Sequence, residues 1–162
     1  MVVRDKEQLE RFHTVLADAD NLVIDSFSPE SALAGMLTGL SYATGKYAVV
    51  LPCDSPLVST ALIDYLFEQG VGCDAVVPRW PYDYVEPLQS VYKVSSSLEA
   101  GKRVLASGKN DFRSLLDELG NVLYVPIGSL GSLTLNLRTF FNINTLEDLQ
   151  EAREMIEVEE IG

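Results

Sequence analysis

The chain is short of basic residues: its 162 residues carry 12 Lys plus Arg against 24 Asp plus Glu, a formal net charge of −12 at pH 7. Such a surface repels a phosphate backbone, and no run of Lys and Arg interleaved with aromatics interrupts it. A general nucleic-acid-binding role is therefore not expected. Cysteine is equally scarce. Cys53 and Cys73 lack metal-ligand spacing and no disulfide framework surrounds them, so two reduced thiols in the cytoplasm are expected. The opening residues, Met1 to Lys6, do not resemble a signal peptide. No apolar stretch reaches the length of a membrane span, and no internal repeat or low-complexity linker divides the chain. The single histidine, His13, sits beside Phe12 with no Cys or second His near it, which argues against a catalytic role.

What is present is an ordinary globular composition, 47% hydrophobic and 22% charged. It matches one folded domain over residues 1–162 with a sizeable core. An acidic chain still holds phosphate locally through a divalent ion or a helix N-terminus.

Val2-Val3 reads as a very short strand. Leu9, Phe12, Val15 and Leu16 then recur at helical spacing in a helix from Asp5 to Ala19. Asn21 to Asp25 is a short apolar run ending in a carboxylate, the pattern of a buried strand that delivers an acid at its C-terminal end. Ser28-Pro29-Glu30 suit a helix start, ahead of a small-residue helix from Ser31 to Thr44 closed by Gly45. Tyr47 to Leu51 is the next strand, and Ser59 caps a helix running to about Gln69. Asp74 to Pro78 reads as a strand, Arg79 to Glu86 as an aromatic, proline-rich loop, and Leu88 to Tyr92 as a further strand. Ser95 to Ala106 and Asp111 to Leu119 read as helices around Gly108. Val122 to Pro126 is again a strand, and Thr139 to Ile143 is short, apolar and β-prone. Thr145 to Asp148 opens the last helix as a capping box with Asp in place of the usual Glu or Gln. The alternation predicts an α/β fold with a mostly parallel sheet flanked by helices, which binds its ligand beyond the C-terminal ends of the strands.

The loops at those ends hold the candidate chemistry. Asp54 ends an apolar strand between Pro52 and Pro56, which stiffen the turn and fix a carboxylate of the kind Mg²⁺ takes, leaving its other positions to water and substrate phosphate. The plain alternative is a cap on the next turn. Asp25 has a similar place and reads, alone, as a turn residue. Asn142 and Asn144 flank Ile143, and residues two apart in an extended segment face one side. They hydrogen-bond a base or pterin edge, or supply a neutral oxygen to a metal, or shape the entry to the last helix. Glu86 either recognises a ligand amine or ends its loop. Trp80, Tyr82 and Tyr84 either stack a planar ring or pack over the sheet edge. Of Lys102, Arg103, Lys109 and Arg113, one or two at most are expected to meet a phosphate.

In order along the chain, Asp25 followed by Leu33-Ala34-Gly35, then Leu51-Pro-Cys-Asp54-Ser-Pro56, then Glu86-Pro87-Leu88, then Phe141-Asn-Ile-Asn-Thr145 resemble the molybdenum cofactor guanylyltransferases. The resemblance runs from Val2 to about Ala152. Its most specific part is the last motif with Glu147-Asp148-Leu149 behind it, whereas Pro-Cys-Asp-x-Pro alone fits many sugar nucleotidyltransferases. It implies a Rossmann-like, GT-A-like nucleotidyltransferase fold. Asp54 becomes the catalytic residue, the Mg²⁺ ligand and a nucleotide contact, with Asp25 a second contact to the nucleotide. Asn142, Asn144 and Glu86 become substrate-binding, the two asparagines on the pterin side. The implied reaction transfers GMP from GTP to molybdopterin and releases pyrophosphate, in the cytoplasm.

Two departures from the family pattern carry expectations of their own. Ser31-Ala32 stand where the family has Gly-Pro, which loosens the guanine assignment. The family also opens with a strand and the loop Leu-Ala-Gly-Gly-x-Ser-x-Arg-x-Gly-x-Asp-Lys, whereas the present sequence matches from beyond it, without the first strand-loop-helix unit. Lost phosphate donors of that type cost about a hundredfold or more, so weak transfer by these residues alone is expected. A sheet without its first strand is expected to slip, stay incomplete, or borrow a strand in a homo-oligomer. Two other readings stay open: a non-catalytic relative that binds molybdopterin or a partner, and a nucleotidyltransferase using CTP or another nucleotide.

Overall fold

Parallel pairing begins at the first residues. In the computed structural model, which describes residues 1–15, 21–134 and 137–160, β1 (Val2–Val3) pairs with β2 (Val23–Ile24), Val2 opposite Val23 and Val3 opposite Ile24. The Asp25 N–H continues the ladder onto the Val3 carbonyl at 2.7 Å, which fixes where that carboxylate emerges. Between the two strands lies α1 (Lys6–Val15). The expected continuation of α1 through Leu16 to Ala19 lies outside the described residues.

The remaining strands form a separate four-stranded sheet in the order β3-β5-β4-β6, from β3 (Tyr47–Val50), β4 (Ala75–Arg79), β5 (Ser90–Lys93) and β6 (Val122–Pro126). Backbone hydrogen bonds give the directions. Asp74 N–H donates to the Asn121 carbonyl at 2.7 Å, so β4 and β6 start side by side and run together. At its other end β5 is tied back: Lys93 N–H donates to Asp74 and Val94 N–H to Lys46, at 2.8 and 3.0 Å. The end of β5 thus lies beside the starts of β4 and β3, and β5 alone runs against its neighbours.

The helices form where the pattern places them, with shifted ends. Ser31 caps α2 (Ala32–Tyr42) by accepting the Ala34 N–H at 3.1 Å. The Ser28-Pro29-Glu30 start and the Gly45 stop are both corrected. The capping oxygen is that of Ser31, and the chain turns extended at Ala43, two residues before Gly45. Ser59 caps α3 (Thr60–Gln69) as expected. Helices α4 (Val94–Ala106) and α5 (Phe112–Glu118) follow, and Asp111 caps the second through the Ser114 N–H. The Thr145 to Asp148 box forms with its expected reciprocity: Asp148 Oδ2 accepts the Thr145 N–H at 2.8 Å and Thr145 Oγ1 accepts the Asp148 N–H at 3.1 Å. It opens α6 (Leu146–Glu160). The Asn144 and Thr145 N–H groups, both donating to Oδ2, hold the Asp148 carboxyl below its ordinary pKa. Among the described residues no helix is long and apolar enough to cross a membrane.

The β-prone segment Thr139 to Ile143 is a second correction. Arg138–Phe140 is a single 3₁₀ turn, Phe141 after it is extended, and residues 139–143 join no sheet among the described residues. The Thr139 carbonyl and the Ile143 N–H bond to a side chain and to a loop carbonyl instead of a ladder.

The chain divides into two compact units, one of residues 1–48, 72–75 and 92–122, the other of residues 49–71, 76–91 and 123–162. In the first, Leu33 and Leu37 of α2, Tyr92 and Leu115 are fully buried. There α4 turns Ser97, Ala100, Gly101 and Val104 inward, one helical stripe of mostly small residues. Gly101 is required by close approach, since a Cβ at that position would stand 2.3 Å from Leu37 Cδ2. In the second unit, Leu62 and Leu66 of α3 join Val76, Val77 and Val91 of the sheet, all at 1% exposure or less. Each such side chain contributes about 1.5–3 kcal/mol of burial free energy.

Candidate functional site

The C-terminal ends of β3, β4 and β6 and the start of β5 all belong to the second unit. Asp54 follows β3 in a turn, half-buried between Pro52 and Pro56. Its carboxylate makes no hydrogen bond among the described residues, and only its backbone is engaged: the Asp54 carbonyl accepts the Ile143 N–H at 2.8 Å. Next to it the buried Ser55 hydroxyl donates to Asn142 Oδ1 at 2.5 Å. Two bonds from adjacent residues thus clip the segment before α6 onto the Asp54 loop, 87 residues apart in sequence for the Ser55–Asn142 pair.

A third attachment lies deeper. Thr139 is fully buried, and its hydroxyl accepts the Ser59 N–H at 3.0 Å while donating to Gln89 Oε1 at 3.2 Å. The Gln89 amide group returns a hydrogen bond to the Thr139 carbonyl. In place of sheet pairing, the Thr139 carbonyl is met by the Gln89 side chain and the Ile143 N–H by the Asp54 carbonyl, so both backbone groups are satisfied without a ladder.

Between β4 and β5 the aromatic loop folds back on itself. Arg79 pairs with Val85 as an antiparallel bridge, Trp80 N–H donates to the Tyr84 carbonyl at 2.7 Å and Glu86 N–H to the Pro78 carbonyl at 2.9 Å. At its tip Tyr82 and Asp83 hold φ of 67° and 63°, a left-handed conformation that non-glycine residues rarely adopt. Tyr82 and Tyr84 are exposed, whereas Trp80 packs edge-on against Phe140 with ring centroids 5.5 Å apart. The indole Nε1–H donates to Glu86 Oε1 at 2.5 Å. Burial raises the Glu86 carboxyl above its ordinary pKa, and the indole hydrogen bond opposes part of that shift. Its second oxygen, Oε2, has no partner among the described residues and is available to a donor on a ligand. Arg79 is held by Asp83 at 3.5 Å and lies over the Tyr124 ring.

Of the sequence-predicted residues, Asp54, Glu86 and Asn142 belong to this unit, with Asn142 tied to the Asp54 loop. Asn144 lies there too, but only its backbone N–H is engaged, by Asp148 at 2.8 Å; its side chain has no hydrogen bond among the described residues. Asp25 belongs to the first unit. Its Oδ1 accepts the Thr38 hydroxyl at 2.5 Å and the Phe27 N–H at 3.1 Å, and Thr38 Oγ1 accepts the Ser26 N–H at 3.0 Å. Oδ2 has no hydrogen bond among the described residues and faces the space left by Gly35, whose Cβ would stand 4.0 Å away. Of the basic candidates, Arg103 is bound to Glu118 at 3.1 Å on an exposed surface. Sequence reasoning missed Ser55, Thr139, Gln89 and Thr38. A trace of them was the glutamine inside the Leu88 to Tyr92 strand pattern.

Among the described residues no group of three or more His, Cys, Asp or Glu could hold a metal ion by itself. The free Asp54 carboxylate still suits a hard divalent cation that takes one protein carboxylate and fills its other positions from water and phosphate.

A model of the MobA-like NTP transferase domain matches residues 1–122. The chain belongs to that family. It is 32% identical over 152 residues to a protein of Methanosarcina mazei named "Probable molybdenum cofactor guanylyltransferase", covering 91% of this chain and 67% of the relative. A protein of the same name from Methanosarcina acetivorans is 33% identical over 153 residues, with 91% and 68% covered. Among solved structures, molybdopterin-guanine dinucleotide biosynthesis protein A from Archaeoglobus fulgidus superimposes with a TM-score of 0.80 at 30% identity, over 96% of this chain and 77% of that one. A 2-C-methyl-D-erythritol 4-phosphate cytidylyltransferase from Thermus thermophilus, at 19% identity and a TM-score of 0.59, shares the nucleotidyltransferase fold and covers 92% of this chain and 88% of its own. The expected α/β nucleotidyltransferase fold is therefore present, in a member of the MobA-like family.

Proposed function

We propose that this chain transfers GMP from GTP to molybdopterin and releases pyrophosphate. The observation that carries the reading is the free Asp54 carboxylate at the end of β3, clipped through its own carbonyl and Ser55 to the segment that bears Asn142. The family membership and the names of the relatives support the same chemistry.

In this reaction an oxygen of the acceptor's terminal phosphate forms a bond to the α-phosphorus of GTP, and the bond from that phosphorus to the bridging oxygen of the β-phosphate breaks. A phosphate monoester is already largely ionised at neutral pH, its second pKa being about 6, so no protein base has to remove a proton. The work is positioning and charge stabilisation. Asp54 holds the divalent metal, Mg²⁺ in this proposal, which when bound offsets charge on the phosphates. Asn142 presents its side-chain amide at the same loop, with Oδ1 oriented by Ser55, and Asn144 adds a second amide, one with no hydrogen bond among the described residues. Glu86 turns a half-buried oxygen toward a donor. An N–H of the pterin amine edge would supply the hydrogen bonding that burial took from it.

Calorimetric titration of GTP, with CTP as comparator, tests the nucleotide half of the proposal. Binding that requires Mg²⁺, prefers GTP and is lost in Asp54→Ala supports it. Equal binding of CTP would replace GTP as the donor, and Mg²⁺-independent binding unaffected by Asp54→Ala would remove Asp54 from the site.

A further inference from the structure

Thr139 and Gln89 are buried polar residues where leucine and valine would fill the same volume. Thr139 is fully buried and Gln89 is 4% exposed, so neither is placed to touch a substrate. Both have their hydrogen-bonding groups occupied in one closed set. The Thr139 hydroxyl joins Ser59 N–H to Gln89 Oε1, and the Gln89 amide group grips the Thr139 carbonyl. A buried reciprocal network of this kind favours one arrangement, because a shift of either partner strands several polar groups without water.

The set sits at a junction of the loops. Ser59 ends the Asp54 loop and caps α3 through its own hydroxyl, which accepts the Leu62 N–H at 3.2 Å. Gln89 ends the Glu86 turn, its backbone N–H donating to the Glu86 carbonyl at 3.2 Å. Three and four residues beyond Thr139, Asn142 and Ile143 make the two bonds to Ser55 and Asp54. One buried threonine therefore anchors the segment whose outer end carries the exposed amide.

From this we infer that Thr139 and Gln89 are positioning residues. They lock the register of residues 139–143 against the Asp54 loop and hold Asn142 and Asp54 in a fixed relation. The consequence for catalysis rests on the transferase reading above; the mechanical claim does not.

The test compares Thr139→Val, which removes the hydroxyl at nearly constant shape, with Thr139→Ser, which keeps it. Amide hydrogen exchange is read at Ile143, whose N–H binds the Asp54 carbonyl, against Val76 and Val77 in the core. In Thr139→Val, exchange at Ile143 should accelerate about tenfold or more relative to the two valines, and Thr139→Ser should restore it. Unchanged exchange at Ile143, equal acceleration at all three amides, or failure of the serine to rescue would each overturn the inference. Should Thr139→Val not fold, Gln89→Glu, which loses the donor to the Thr139 carbonyl, takes its place with the same three amides. With active protein, Thr139→Val should lower kcat about tenfold while the KM for GTP moves less than twofold. Wild-type protein that protects Ile143 as described but transfers no GMP would refute the transferase reading alone.

Discussion

Replacing Gly101 by alanine should destabilise the protein, although helix propensity alone predicts the reverse. In an open helix interior Gly→Ala gains about 1 kcal/mol. Here the added Cβ would stand 2.3, 2.8 and 3.0 Å from Cδ2, Cδ1 and Cγ of Leu37. Contacts between carbons are best at about 3.5–4.0 Å, so the nearest pair is more than about 1 Å too close. Leu37 is fully buried and cannot swing into solvent. Either α2 and α4 separate or Leu37 leaves its rotamer, and overpacking of this kind costs about 1–3 kcal/mol, at the upper end for three atoms of one side chain. The net loss is about 1–2 kcal/mol, which for a chain of this length lowers Tm by about 2–8 °C. Thermal unfolding of Gly101→Ala, of Leu37→Ala and of the double variant closes the cycle. With Leu37 shortened the clash is gone, so Gly101→Ala should become neutral or stabilising and the coupling should be at least about 1 kcal/mol. A raised Tm for Gly101→Ala in the wild-type background, or a coupling near zero, would refute the close-packing argument.

Other perturbations reach the candidate site. Because burial raises the folded-state pKa of Glu86, ionising that carboxyl works against folding: its contribution is fully present below the ordinary value of 4.5 and is lost as pH rises through the raised value. Glu86→Gln keeps an oxygen for the Trp80 indole without the charge, so it should be the more stable protein at pH 8, with the difference shrinking toward pH 4; urea unfolding at the two pH values measures this, and a wild-type advantage at pH 8 would contradict it. Ser55→Ala leaves Asn142 Oδ1 without its donor, and loss of such a hydrogen bond costs about 1 kcal/mol, seen as a lower urea midpoint with an unchanged m-value. Ser59→Ala removes the α3 cap and should cost about 1 kcal/mol by the same measurement; an unchanged midpoint would show that Leu62 N–H finds another partner.

Much of this architecture was legible in the residues because its causes are local. Ser59 as the cap of α3, the Thr145 and Asp148 box, and Val122 to Pro126 as a strand each depend on a few neighbouring positions. The helix from Ser31 was legible to within a residue, but Ser28 and Ser31 both offer capping oxygens close to its start, and only the fold shows that Ser31 is used. The antiparallel direction of β5 was hidden for a different reason: it is set by Lys93 and Val94 bonding to Asp74 and Lys46, residues remote from them in sequence. The site divides the same way. Asp54 was marked by its flanking prolines, whereas the roles of Ser55, Thr139 and Gln89 arise from contacts across 50 to 87 residues, and each alone reads as an ordinary polar residue.

The central claim is that GMP leaves GTP and reaches molybdopterin in a site built on Asp54. The most direct measurement incubates the protein with molybdopterin, Mg²⁺ and GTP labelled at the α-phosphate, and follows label in the dinucleotide product together with pyrophosphate release, for wild type and Asp54→Asn. The account predicts equal amounts of labelled product and pyrophosphate with wild type, and a rate lower by about a hundredfold or more in Asp54→Asn. Label that never leaves GTP in the presence of both substrates and metal, or transfer that proceeds unchanged in Asp54→Asn, would contradict it.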